Sequence, residues 1–324
     1  MSFSAFSTRQ HGCPRIFTGW AEQRRSLTAT LSTNRRDDVP IYDRLVQPDD
    51  YRRSSLETWG AMACGWERWR AEIEATSAPI RDWMLKSLAL EPGDTVLELA
   101  AGPGDTGFSA AAIVGETGRL ISTDFSPDMV EVARRRSAEL GLGNVEHRIM
   151  NAEHMELEDD SVDGVLCRFG FMLMADAAAA LSETRRVLRP GGRLALAVWC
   201  SAERNPWISI AGRMLVERGH VPAPEPGSPG MFTMANAERT RRLLEDAGFA
   251  DVRTKEVPVR FTYRSLDEYV HRARDTGGVF SKAFAEADDD ERAALEAELG
   301  TRFAPFAAGS CYEFPGVALA VIAD

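Results

Sequence analysis

The middle of the chain alternates short apolar runs with amphipathic segments. Buried parallel strands appear in a sequence as short apolar runs, and helices show apolar positions three and four residues apart. The pattern predicts strands at residues 95–99, 119–123, 145–149, 162–167 and 193–198, and helices at 106–113, 127–140 and 177–188. Such alternation is typical of βαβ units in a parallel sheet.

Further elements are predicted on both sides of this block. Two helices fall between residues 50 and 90, and the first has an aromatic face with Trp59, Trp66 and Trp69. A helix at 237–247 and a strand near 252–261 follow the block. Residues 264–303 are predicted to be helical, and residues 316–323 form an apolar, β-rich run.

Charge and composition favour small-molecule chemistry. The chain has 324 residues and a net charge of -11, which disfavours a general binder of nucleic acids or anionic membranes. Its longest apolar stretches are far shorter than the roughly 20 residues that span a bilayer. The five cysteines are scattered singly, so we expect no metal site, no disulfide framework and a reducing, cytoplasmic location.

A glycine-rich turn after the first predicted strand carries the clearest chemical signal. Gly102 and Gly104 allow a ligand to approach the backbone closely, and the start of the following helix presents free N–H groups. Asp124 ends the second predicted strand, where a carboxylate can accept both hydroxyls of a ribose. Together these residues indicate an adenosine site.

The same turn also satisfies GxGxxG through Gly107, which leaves an NAD(P)-dependent oxidoreductase as an alternative. Glu98 argues against it, because an acid at the end of the first strand would repel a pyrophosphate. The cluster Asn151-Ala152-Glu153 follows the third strand, where it can address an adenine edge. The chain also leaves no room for the separate catalytic domain usual in dehydrogenases.

With these motifs the sequence resembles the class I S-adenosylmethionine-dependent methyltransferases, of the branch containing ubiquinone/menaquinone C-methyltransferases. The resemblance covers roughly residues 90–200 and implies a Rossmann-like, doubly wound α/β sheet of seven strands, mostly parallel with the last antiparallel. It implies N-terminal helices and helical insertions that form a cap. We divide the chain into a disordered extension (1–40), a helical cap (41–90) and a methyltransferase domain (91–324) with acceptor-side insertions near 200–236 and 262–312.

The resemblance also implies roles for individual residues. Glu98, Gly102 and Gly104 match the family's first motif, in which Ala100 replaces a glycine. Asp124 matches the ribose-binding acid. The remaining residues expected at S-adenosylmethionine are Phe125 and Met129 on the adenine, Asn151, Ala152 and Glu153 at the adenine edge, and Arg168 and Phe169 beside the methionine moiety.

The methyl acceptor is less well defined by the sequence. Aromatic residues near the expected site predict a small, apolar or aromatic acceptor methylated at oxygen or carbon; they are Trp66, Trp69, Phe171 and Trp207. Methyl transfer from a sulfonium requires mainly alignment of the two reactants, and no catalytic base is identified. A non-catalytic S-adenosylmethionine-binding protein remains an alternative, and the oligomeric state is open.

Overall fold

One twisted sheet with the strand order β3-β2-β1-β4-β5-β8-β6 organises the protein, and the two-residue β7 pairs with β8. This computed structural model describes residues 48–225 and 227–324. Strands β1 to β5 are parallel, and β8 is antiparallel to both β5 and β6. The strands are β1 (Thr95–Glu98), β2 (Arg119–Asp124), β3 (Val145–Ile149), β4 (Val162–Arg168), β5 (Leu188–Trp199), β6 (Arg253–Tyr263), β7 (Ala307–Ala308) and β8 (Cys311–Ala323).

Helices cover the sheet and its carboxyl edge. They are α1 (Pro48–Arg68), α2 (Arg70–Leu88), α3 (Asp105–Val114), α4 (Pro127–Glu139), α5 (Ala177–Val187), α6 (Pro206–Glu217), α7 (Ala237–Asp246), α8 (Leu266–Thr276), α9 (Gly278–Glu286) and α10 (Asp289–Phe303). The start of α4 follows the sequence signals closely, since the Ser126 side chain accepts the N–H of Met129 and Pro127 is the first helical residue. The expected fold class, a mostly parallel α/β sheet with an antiparallel strand, is confirmed.

The structure differs from the sequence expectations in several places. Strand β5 begins at Leu188 rather than at residue 193. The acidic helical region divides into three helices, with breaks at Gly277 and Asp288. Cys64 is disulfide-bonded, although the scattered cysteines indicated no disulfide framework. The predicted extension at residues 1–40 lies outside the described residues.

Strands β6 and β8 continue beyond the carboxyl edge of the parallel strands. Trp199 ends β5 opposite Ala318, which pairs on its other side with Val257. From Val257, β6 runs six residues further to Tyr263, a distance of about 20 Å. We call this projecting pair of strands, 258–263 with 312–317, the β6/β8 arm.

Helix α1 lies along the carboxyl edge and contacts three separate segments of the chain. At its first turns the Tyr51 hydroxyl donates to the carbonyl of Leu173, at 2.8 Å. In its middle, Gly60 approaches the side chain of Asp128 at the start of α4. At its end, Trp69 Nε1 donates to Asp275 Oδ2 of α8, at 2.8 Å. The helix therefore spans the segments after β2, β4 and β6.

The contact between α1 and α8 depends on a glycine. A β-carbon added at Gly65 would lie 2.1 Å from the carbonyl oxygen of Asp275. We expect Gly65→Ala to lower the free energy of unfolding by about 1–3 kcal/mol, because two backbones would have to separate. Chemical denaturation measures this effect.

Gly212→Ala in α6 is the matched control. A β-carbon added there meets no described atom within 4 Å, so alanine should raise stability by up to about 1 kcal/mol. Equal effects of the two substitutions would show that α1 and α8 are not packed this closely.

Among residues 48–225 and 227–324, no helix is long and apolar enough to cross a membrane.

Candidate active site

The three predicted cofactor segments meet at the carboxyl ends of neighbouring strands. The glycine turn follows β1, Asp124 ends β2 and the Asn151-Ala152-Glu153 segment follows β3, and these strands lie in the order β3-β2-β1. Ala101 N–H donates to the carbonyl of Thr123, at 2.9 Å, and Met150 N–H donates to the carbonyl of Asp124, at 3.0 Å. In open α/β sheets ligands bind at this edge.

The glycine turn adopts a conformation that only glycine accepts easily. Gly104 has φ +89°, and a β-carbon there would lie 2.4 Å from the ring of the buried Phe108. The turn leads directly into α3, whose first N–H groups face outward from the helix end. This arrangement brings an open stretch of backbone next to Glu98 and Asp124.

Glu98 offers an unpaired, buried carboxylate oxygen. The residue is 3% exposed, and its Oε1 accepts the N–H of Gly107, at 2.8 Å. Its Oε2 has no hydrogen-bond partner among the described residues. Burial raises the pKa of Glu98 to about 8, although the Gly107 N–H and the positive charge of Arg168 oppose this shift. An ammonium group would complete this site, so Glu98 fits the methionine end of S-adenosylmethionine.

Asp124 connects the glycine turn to the start of α4. Its Oδ2 accepts the N–H of Gly102, at 3.0 Å, and its Oδ1 accepts the N–H of Ser126, at 2.9 Å. Burial raises the pKa of Asp124, while N–H donors from Ser126, Gly102 and Phe125 lower it in part. Each carboxylate oxygen has a second lone pair, so Asp124 can still accept ribose hydroxyls.

Arg136 on α4 is a site residue that the sequence reasoning missed. It is 5% exposed, binds the Asp105 carboxylate at 2.6 and 2.8 Å, and donates to the carbonyl of Pro103. It therefore fixes the second half of the glycine turn. The available signal was helical spacing, since Arg136 follows the buried Met129 and Ala133 at three- and four-residue steps.

The residues after β3 form hydrogen bonds with one another, with α1 and with the segment before α5. Asn151 is exposed, and its Oδ1 accepts the N–H of Glu153, at 3.0 Å. The Glu153 carboxylate binds Arg52 of α1, at 2.8 Å from Nε, and accepts the N–H of Asp176. Glu153 thus anchors α1 above this segment, and the adenine contacts of Asn151, Ala152 and Glu153 remain predictions.

Arg168 and Phe169 leave β4 beside the glycine turn. The Arg168 guanidinium binds Glu74 and Ser77 of α2. Phe169 has φ +66°, an unusual value for a bulky residue, and its ring stacks on Trp199 with centroids 4.2 Å apart. Strained residues of this kind cluster at ligand sites. Their contact with the methionine moiety remains a prediction.

The next four predicted residues, Phe125, Met129, Trp66 and Trp69, lie in or near α1 and the start of α4. Phe125 is half-buried, whereas Met129 packs under α1 with Ala63. Trp66 Nε1 donates to the carbonyl of Thr276, at 3.2 Å, and Trp69 also binds α8. Both tryptophans therefore hold α1 to α8, and acceptor binding by them is untested.

Aromatic rings form a continuous row from β4 to the β6/β8 arm. Phe169 stacks on Trp199, which contacts Trp207 edge-on at 5.3 Å. Trp207 stacks on Phe261 of β6 at 3.9 Å, and its carbonyl accepts the Tyr269 hydroxyl at 2.9 Å. We call Phe169, Trp199, Trp207 and Phe261 the aromatic row.

Phe171 lines a separate apolar cavity of about 160 Å³ at the exit of β4. Its neighbours there include Met172, Met174 and Met234, with Arg239 as a charged member. Flexible methionine side chains suit an apolar ligand of variable shape. The cavity brings together the segment after β4 and the predicted insertion that ends at residue 236.

Ala100, which replaces the family's glycine, adopts a left-handed conformation with φ +51°. We expect Ala100→Gly to raise the free energy of unfolding by about 0.5–1 kcal/mol, because a β-carbon is disfavoured at this φ. Ala112→Gly at an exposed position inside α3 is the control and should lower it by about 1 kcal/mol. Urea denaturation of both variants tests the prediction, and a loss of stability in both would contradict it.

Comparisons with known proteins agree with this geometry. A family model described as a methyltransferase domain matches residues 90–221. The ubiquinone/menaquinone biosynthesis C-methyltransferase UbiE of Klebsiella pneumoniae is 31% identical over 170 residues, which are 49% of this chain and 68% of that protein. The arsenite methyltransferase of Halobacterium salinarum is 38% identical over 108 residues, 33% of this chain and 28% of that protein. The chain spans less than half the length of several curated relatives it matches.

Solved structures share the fold. The YcgJ protein of Bacillus subtilis has a TM-score of 0.53 at 20% identity, covering 75% of this chain and 96% of its own. Phosphoethanolamine N-methyltransferase 2 of Haemonchus contortus, in complex with phosphomonomethylethanolamine and S-adenosylhomocysteine, has a TM-score of 0.51 at 17% identity, covering 86% of this chain and 60% of its own. From its sequence relatives and its site geometry, the chain belongs to the class I S-adenosylmethionine-dependent methyltransferases.

Proposed function

We propose that this protein binds S-adenosylmethionine at the glycine turn and transfers its methyl group to oxygen or carbon of a small, apolar or aromatic acceptor. The observation that carries the proposal is the unpaired, buried Oε2 of Glu98, whose other oxygen accepts the N–H of Gly107 in the first turn of α3. A buried carboxylate in that position matches a cationic amino acid moiety. Asp124, on the neighbouring strand, supports the ribose.

The chain's residues bind and orient the two reactants. The sulfonium supplies an activated methyl group. Glu98 holds the ammonium end, Asp124 holds the ribose, and Arg136 keeps the glycine turn in place through Asp105. Alignment of donor and acceptor is the main requirement for such a displacement.

An apolar or aromatic acceptor is supported by the aromatic and apolar residues near the exit of β4. The aromatic row begins at Phe169, next to Gly170, where an added β-carbon would lie 2.7 Å from that of Ala100 in the glycine turn. The apolar cavity with Phe171 lies at the exit of the same strand. Flat or apolar molecules gain most from such surfaces.

Binding followed by product analysis tests the proposal. Calorimetry should show saturable binding of S-adenosylhomocysteine and none of NAD⁺ or NADP⁺. The protein is then incubated with methyl-labelled S-adenosylmethionine and a metabolite extract, and mass spectrometry should detect a labelled organic product. Binding of S-adenosylhomocysteine without any labelled product would favour a non-catalytic binding protein. The oxidoreductase alternative is not supported, because the relatives that this chain matches are methyltransferases.

A further inference from the structure

Arg272 on α8 is a buried cation that forms no ion pair in the described part of the chain; Glu268, one turn earlier on the same helix, pairs with Arg264 instead. Arg272 is 6% exposed, and its guanidinium makes no hydrogen bond or ion pair with residues 48–225 or 227–324. Its guanidinium lies over the ring of Tyr263, with 5.1 Å between the guanidinium carbon and the ring centroid. Arg136, which is buried to a similar degree, binds the carboxylate of Asp105 instead.

This arrangement is unfavourable unless something binds to it. Burying an unpaired charge is costly, and an arginine cannot escape the cost by losing its proton. The ring of Tyr263 offsets only part of it. An apolar side chain would pack better among the aromatic residues around α8. A buried arginine in this state is therefore better explained by recognition of an anion than by stability.

Tyr263 provides a second free polar group next to Arg272. It is 3% exposed, and its hydroxyl has no hydrogen-bond partner within the described residues, whereas the neighbouring Tyr269 donates to the carbonyl of Trp207. Burial raises the pKa of Tyr263 to about 12, so the hydroxyl keeps its proton and can donate. Neither group is among the fully enclosed polar atoms that lack a partner. The polar end of each side chain therefore keeps some contact with solvent.

The position of this pair connects it to the active site. Tyr263 ends β6 at the tip of the β6/β8 arm, above the carboxyl edge of the sheet. Tyr263 contacts Tyr269 at 4.9 Å, and Tyr269 is hydrogen-bonded to Trp207 of the aromatic row. Contacts thus run from Phe169, beside the glycine turn, to Arg272.

We propose that Arg272 and Tyr263 bind a carboxylate of the methyl acceptor, which is then an apolar or aromatic organic acid. This assignment rests on the proposed function. A carboxylate fits better than a phosphate, because a single guanidinium with one hydroxyl matches one negative charge, and a phosphate dianion would require further cations.

Benzoate is a suitable probe, because it joins a carboxylate to an aromatic ring. Calorimetry on the full chain, with and without S-adenosylhomocysteine, should show benzoate binding about tenfold or more tightly than methyl benzoate. Arg272→Met should remove this preference, and Tyr263→Phe should weaken it. Both variants should bind S-adenosylhomocysteine with the affinity of the unmodified protein.

Stability measurements separate this role from a structural one. Arg272→Met should leave the melting temperature unchanged or raise it, because it removes a buried charge that has no partner. Arg136→Met is the control and should lower it, because Asp105 loses its partner. A lower melting temperature for Arg272→Met with unchanged benzoate affinity would overturn the proposal.

Further results of these titrations would also contradict the proposal. Absence of benzoate binding, or equal affinity for benzoate and its ester, would overturn the proposal. Inorganic phosphate binding as tightly as benzoate would assign a general anion site and overturn the acceptor assignment. Loss of S-adenosylhomocysteine binding in Arg272→Met would assign the arginine to the donor's carboxylate. If the unmodified protein does not bind S-adenosylhomocysteine, the proposed function fails, and the benzoate result then reports on Arg272 alone.

Discussion

Replacing Asp124 with alanine is expected to lower the affinity for S-adenosylhomocysteine by about 10²-fold or more. Hydrogen bonds to a charged group contribute about 1.5–3 kcal/mol each, and two ribose hydroxyls would lose their acceptor. The glycine turn would also lose the bond from Gly102 N–H to Asp124 Oδ2. Calorimetric titration of S-adenosylhomocysteine measures the change.

Asp94→Ala is the matched control for this prediction. Asp94 also accepts a backbone N–H, that of Glu91 at 2.8 Å, but it lies at the amino end of β1, away from the site. Its removal should leave donor affinity unchanged. An Asp124→Ala variant that remains folded by circular dichroism and binds S-adenosylhomocysteine normally would show that the ribose does not contact this edge.

Binding of S-adenosylhomocysteine near pH 7 should release close to one proton from the protein. With a pKa of about 8, Glu98 is about nine-tenths protonated at pH 7. An ammonium group at its unpaired oxygen favours the ionised form, so the proton leaves on binding. Calorimetry in buffers of different ionisation enthalpy counts the released protons.

The release should disappear above pH 9, where Glu98 is already ionised, and in the Glu98→Gln variant. Glutamine keeps an acceptor for Gly107 N–H, so the variant should fold while losing the charge that holds the ammonium group. An unchanged proton release in Glu98→Gln would assign the proton to another group.

Glu98 should also make stability depend on pH. Its pKa is raised in the folded protein, so the native state holds a proton that the unfolded chain releases at lower pH. The stabilisation contributed by this proton is fully present at pH values below the pKa that Glu98 has in the unfolded chain. It is lost as the pH rises through about 8, the pKa of Glu98 in the folded protein. The Glu98→Gln variant should lack this component of the decline.

The donor side could be predicted from sequence because its chemistry is local. Gly102 and Gly104 follow a strand directly, and Asp124 ends the next one, so parallel pairing alone brings them together. Boundaries such as the start of α4 were set by a serine cap and a proline. For these residues short-range signals and the geometry of a parallel sheet determine the position.

The acceptor side depends on long-range contacts that periodicity does not encode. Trp66 and Trp69 show the spacing expected of a helix face, but their indole N–H groups bind α8, about 200 residues later. Similarly, nothing near Arg272 in the sequence shows that it is buried against Tyr263. Only the course of the β6/β8 arm brings such residues to the carboxyl edge.

The length of the β6/β8 arm also has an evolutionary consequence. The residues assigned to the donor lie between Glu98 and Phe169, whereas Tyr263 and Arg272 belong to a stretch of chain that begins with β6. Recombination in the loop before α7 would exchange the part of the chain that contains Tyr263 and Arg272 and keep the part that contains the donor residues. Such an exchange between homologues would replace the proposed carboxylate-binding residues and leave those assigned to the donor unchanged.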